Sequence, residues 1–130
     1  MSDPHLALGL DLAEVSRISA ALDRWGQRFL ARIFVDGELS TRRSHPAAFA
    51  QHVAGRFAAK EAAMKALGTG WRGLGFREIV VGRHASGKPI LHFTGKAKAR
   101  AEQLGVFQAE VTITHTGSMA AAVVALLCRT

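Results

Sequence analysis

The chain has 130 residues, 48% of them hydrophobic and 21% charged, with a net charge of +7 and a pI near 10.8. That length predicts one domain over residues 1–130 and leaves no room for a second independent core. The positive balance predicts an anionic partner: nucleic acid, a phosphorylated small molecule or an acidic protein.

A single cysteine, Cys128, excludes an internal disulfide and a cysteine-based zinc cage, and its place in an apolar run predicts a buried thiol. No apolar run reaches membrane-spanning length, and "MSDPHLALGL" lacks the basic and apolar regions of a signal peptide. The expectation is a cytoplasmic protein without membrane contact. A mean hydropathy of +0.11 is high for a small monomer and points to an oligomer.

Along the chain, "HLALGLDL" alternates strictly, with Leu6, Leu8, Leu10 and Leu12 on one face and Asp11 on the other, which predicts a strand. From about Ala13 the period becomes helical. Ile18, Leu22, Trp25, Phe29 and Ile33 fall within an arc of roughly 80°, beside a stripe of Arg17, Arg24 and Arg28. Gly26 divides this segment into two shorter helices. "TRRSHPAA" reads as a loop closing on Pro46, which starts a helix that runs to Leu67 and stops at Gly68. A glycine-rich loop, "GTGWRGLG", follows. "REIVVG", "PILHF" and "AEVTITH" read as strands, with "TGKAKARAEQLG" a helix between the last two. "HTGSM" is a turn, and "AAAVVALL" is a buried strand forming a hairpin with "AEVTITH". The predicted class is α+β, a largely antiparallel sheet with one long central helix.

That helix carries an unusual segment, "AAKEAAMKAL". Phe49, Val53, Phe57, Met64 and Leu67 define an apolar arc, and Lys60 lies inside it. Glu61 and Lys65 lie on one flank and Arg56 on the other edge. The alanines let neighbours approach closely, so these charges are expected to be partly buried, at several kcal/mol each unless paired or liganded. Spacing alone allows an ordinary Glu61–Lys65 pair at i,i+4. It also allows Glu61 as a hard oxygen ligand for a divalent cation, with Arg56 and Lys65 on phosphate oxygens. Asp11, near a strand end, suits either a second ligand or a helix N-cap.

"GLDLAEVSRI", "GRFAAKEAAMKALGTG", "GKPILHF" and "TITHTGSMAAAVV" together resemble, in order and spacing, the bacterial holo-acyl-carrier-protein synthases, the small 4'-phosphopantetheinyl transferases. The resemblance runs from Gly9 to about Val124. It implies transfer of the phosphopantetheine arm of coenzyme A to a serine of an apo acyl carrier protein, with release of 3',5'-ADP. By motif match it implies Asp11 and Glu61 as ligands of magnesium, with manganese as the alternative, and Asp11, Glu61 and Lys65 as the catalytic set. Arg56 and Lys65 match positions that contact the phosphates of coenzyme A. Lys88 and Pro89, with His115 and Thr116, match segments lining the nucleotide site. His115 is also open to a role as base or as a structural histidine. Arg17, Arg24 and Arg28 match the helix that grips the acidic carrier. A homotrimer with sites between subunits is implied as well. Met119 stands where an aromatic is common in the family, and Arg42 and Arg43 suit either the 3'-phosphate or a solvated loop.

The residues fit this chemistry on their own terms, because phosphoryl transfer depends on positioning and charge neutralisation. The serine needs a proton acceptor, for which Glu61, directly or through a bound water, is the best-placed group. Two other classes stand beside it. A basic nucleic-acid-binding domain would show a helix-turn-helix, zinc-finger or RRM signature, and this chain has none, with no tyrosine and 7% aromatics. A non-catalytic carrier-binding subunit would not need the Asp11, Glu61 and Lys65 set.

Overall fold

The computed structural model describes residues 3–39, 45–69 and 73–129; Arg42, Arg43 and residues 70–72 of the glycine-rich loop lie outside them. The elements run β1 (His5–Glu14), α1 (Val15–Trp25), α2 (Gln27–Ile33), α3 (Pro46–Leu67), a 3-10 turn (Phe76–Glu78), β2 (Ile79–Arg83), β3 (Pro89–Phe93), α4 (Gly95–Leu104), β4 (Val106–His115) and β5 (Met119–Cys128). The predicted α+β class holds, with all strand pairing antiparallel. The strands form two sheets: β1-β5-β4, and a β2-β3 hairpin.

Helix α3 is the spine. Proline opens it at Pro46, where the missing N–H would lack a partner anyway, and Gly68 closes it in the left-handed conformation at φ 78°. Ala54, Ala58, Ala59, Ala62 and Ala63 are fully buried, so the helix is enclosed on nearly every side. Small residues on the strand allow this. A Cβ at Gly9 would stand 1.8 Å from the carbonyl oxygen of Ala62, so only glycine lets β1 press so close. Val53, Met64, Leu67, Ile79, Val81, Val124 and Leu126 complete the core, and Cys128 is a buried free thiol.

The alternation of β1 is as expected, but the leucines face away from α3. Leu6, Leu8, Leu10 and Leu12 are 58–63% exposed. Across the strand pair they sit opposite Leu127, Ala125, Val123 and Ala121, giving the sheet an apolar outer face. Trp25, the last residue of α1, is likewise exposed, and Gly26, at φ 52° and ψ −125°, ends that helix before α2 begins.

One charge is taken wholly into the core. The side chain of Lys60 is completely buried, 2.7 Å from the equally buried carboxylate of Glu38. It also donates to the carbonyls of Phe76 and Ile79 and lies over the Phe34 ring. Glu38 in turn accepts from the amides of Val35 and Val81. All donors and acceptors of the pair are matched, the condition under which a buried ion pair is tolerated.

Candidate active site

Two clusters of ionisable residues lie along α3 on the side facing the sheet. The first gathers Asp11, Glu61 and Lys65. Asp11 sits inside β1 opposite Ala122, on the face covered by α3. It is not an N-cap: α1 begins after Glu14, without a side-chain cap. Lys65 donates to Asp11 at 2.9 Å and to the carbonyl of Leu10 at 3.0 Å, so its partner is Asp11 across the helix–strand contact. Burial pushes the Glu61 carboxyl above the usual carboxylate range; the like charge of Asp11 and a hydrogen bond shared with it push the same way, and Lys65 offsets them in part. Two carboxylates pressed together over one ammonium fit a hard divalent cation. Magnesium takes one or two protein carboxylates and fills its other positions with water and phosphate oxygens. Among the described residues no group of three His, Cys, Asp or Glu side chains could hold a metal ion.

The second cluster lines a cleft of about 330 Å³ between α3, the β2–β3 hairpin and the end of β4, formed by residues that include His52, Arg56, Arg83, Pro89 and His115. Arg56 is 7% exposed and its Nε lacks a hydrogen-bond partner, although Nη1 lies 3.5 Å from Nδ1 of His52. Burial and the neighbouring Arg83 lower its pKa, and Glu38 partly compensates. An unmatched buried guanidinium donor costs about 1–3 kcal/mol, which an incoming anion would recover. Burial, then the charges of Arg56, Arg83 and His115, depress the pKa of His52 to about 4.

The remaining predicted residues fall in different places. Pro89 and His115 line it. Lys88 instead pairs with Glu110 at 2.9 Å on the surface. The Thr116 hydroxyl accepts from the amides of Ser118 and Met119, and this holds the turn that follows His115. Ser118 ties that turn to the start of α1 by accepting from the Val15 amide. Arg17, Arg24 and Arg28 are exposed on α1 and α2. The Arg24 guanidinium lies 5.0 Å from the Trp25 ring centre, and Arg28 shares a groove of about 410 Å³ with Trp25, Phe29 and Arg32.

His52 and Arg83 were not among the predicted site residues. The signal for His52 was its i,i+4 spacing to Arg56. Arg83 becomes visible only once the β2–β3 hairpin brings the end of β2 over α3.

Register sets the separation of the clusters. Asp11 and Ile113 both pair with Ala122 from opposite sides, so they stand two strand spacings apart, roughly 9.5 Å. Gly55 packs over Ile113 and Ala62 over Gly9, so α3 crosses the sheet diagonally from the basic cleft to the carboxylates.

The sequence model of the 4'-phosphopantetheinyl transferase superfamily matches residues 7–124. The holo-[acyl-carrier-protein] synthase of Herpetosiphon aurantiacus is 43% identical over 126 residues, spanning 92% of this chain and 96% of that protein. The structure of holo-[acyl-carrier-protein] synthase from Neisseria meningitidis is similar with a TM-score of 0.81 at 32% identity, covering 92% of this chain and 96% of that one. Helicobacter pylori holo-[acyl-carrier-protein] synthase in complex with coenzyme A gives a TM-score of 0.79 at 26% identity, covering 92% and 98%. With sequence and fold in agreement, the chain belongs to the 4'-phosphopantetheinyl transferase superfamily.

Proposed function

We propose that this protein, as one transferase domain over residues 1–130, moves the 4'-phosphopantetheine group of coenzyme A to a serine hydroxyl of an apo acyl carrier protein and releases 3',5'-ADP. The observation that carries the reading is the Asp11, Glu61 and Lys65 cluster, an acidic pair with its own cation at the crossing of β1 and α3. Asp11 and Glu61 would hold magnesium or manganese. Such an ion, when bound, neutralises charge on the pyrophosphate and orients the leaving group.

In the transfer, the serine oxygen forms a bond to the phosphorus bearing the pantetheine arm, and the bond from that phosphorus to the bridging oxygen of 3',5'-ADP breaks. Glu61 takes the serine proton. In the metal-free protein, burial and the neighbouring Asp11 carboxylate favour the protonated form of this group. Lys65 places a positive charge beside Asp11, and Arg56, Arg83 and His115 receive the nucleotide phosphates and base. The Arg17, Arg24 and Arg28 stripe suits an acidic carrier, a role supported by the exposure of all three.

The apolar outer face of the β1-β5-β4 sheet supports assembly with further copies of the chain, which we propose as a homotrimer. An exposed stripe of four leucines beside Val123 calls for a cover. No helix among the described residues is long and apolar enough to cross a membrane, and the buried free thiol suits a reducing, cytoplasmic setting. The test is intact-mass spectrometry of an apo carrier incubated with the protein, coenzyme A and magnesium. The expected outcome is the gain of one phosphopantetheinyl group, abolished by EDTA. A carrier of unchanged mass, from folded protein that still binds coenzyme A, would favour a non-catalytic carrier-binding subunit.

A further inference from the structure

His52 occupies an unusual position for a histidine in a binding cleft. Arg56 faces it from its own helix, Arg83 from the end of β2 and His115 from the end of β4. No carboxylate is among the described residues lining this cleft. Glu38, behind Arg56, is engaged by Lys60 and by the amides of Val35 and Val81, and Glu110 at the rim is engaged by Lys88. In this field a neutral imidazole is favoured, consistent with the depressed pKa of about 4. With Nδ1 only 3.5 Å from the Arg56 guanidinium, a proton on that nitrogen would face another donor.

A phosphate oxygen entering the cleft reverses the field. It gives the partnerless Nε of Arg56 an acceptor and gives a protonated His52 a counter-charge. We propose that the cleft takes up a phosphate group and a proton together, His52 converting from a neutral imidazole to an imidazolium donor as the ligand binds. The inference rests on the reading of this cleft as the seat of the coenzyme A phosphates. His52 is a specificity and binding residue here, remote from the Asp11 and Glu61 pair that performs the transfer.

The linkage has a definite sign. Protonation favoured by the ligand makes binding tighter as pH falls from the bound-state pKa of His52 toward the free-state value of about 4. Each unit of upward shift corresponds to a tenfold gain in affinity across that window.

The test is histidine ring NMR of the full chain, titrated between about pH 4 and about 8 both free and saturated with adenosine 3',5'-bisphosphate. The His52 resonance is identified by its loss in His52→Gln. The expected result is titration near 4 in the free protein and at least one unit higher in the complex. Calorimetry then compares the pH dependence of bisphosphate affinity in wild type and in His52→Gln, a comparison in which the ligand's own phosphate titration cancels. Wild type should gain up to tenfold more affinity per unit of falling pH than the variant. If the bisphosphate binds while His52 titrates identically in both states, or if the two proteins share one pH slope, the inference is overturned. If neither the His52 nor the His115 resonance responds to the ligand, the cleft is not a phosphate site, and the reading beneath the inference falls with it.

Discussion

Asp11 and Glu61 are held close enough to repel, and Lys65 compensates only in part. The folded protein holds the Glu61 proton more tightly than the unfolded chain does. Ionised Glu61 therefore lowers stability once pH rises above the ordinary glutamate range and through the raised folded value. Glu61→Gln should raise the thermal midpoint of the free protein near neutral pH, and the gain should vanish in acid, where both forms are neutral. A midpoint unchanged at neutral pH would mean that the pair is not strained. His52 acts in the opposite direction. Its folded pKa of about 4 lies below the ordinary histidine value of 6.5, so stability present above 6.5 is lost as pH falls through that interval. Acid unfolding of His52→Gln, followed by circular dichroism, should be shallower between those values than that of wild type.

Among the elements, α3 organises both clusters, and its position depends on Lys60 and Glu38. Glu38→Ala leaves the Lys60 ammonium in the core without its counter-ion, and a loss of about 3–5 kcal/mol in urea unfolding is expected. A loss below about 1 kcal/mol would show that the pair is not what fixes the segment after α2 to β2. This contact was not legible in the sequence. Lys60 stood out inside an apolar arc, but Glu38 lies in a loop with no period to mark it. The limits of α3 were legible, because Pro46 and Gly68 act through local backbone geometry. The strand character of β1 was legible from alternation as well. Alternation does not say which face is the core, and here Ala7, Gly9 and Ala13 turn toward α3 because only small residues allow its approach. Glu61 and Lys65 could be grouped on the helical wheel. Their convergence on Asp11, like that of Arg83 on Arg56, depends on tertiary register that no local pattern encodes.

For the whole molecule, the exposed leucines and the basic stripe describe two surfaces with different partners. Leu8→Glu puts a charge at the centre of the apolar sheet face without touching α3, and sedimentation should show the assembly reduced to monomers. An unaltered oligomer would place the subunit contact elsewhere. Arg24→Glu with Arg28→Glu should raise KM for an acidic carrier at least tenfold while coenzyme A affinity is retained, and the effect should shrink at high salt. The division between a carboxylate pair for transfer and a basic cleft for the nucleotide is the centre of this account. Its most direct test is the rate of carrier modification by Glu61→Gln, followed by intact mass alongside calorimetry with coenzyme A. This variant should bind coenzyme A through the intact cleft yet transfer its arm at least a thousandfold more slowly, a loss of roughly 4 kcal/mol in transition-state stabilisation. Transfer at the wild-type rate would contradict it.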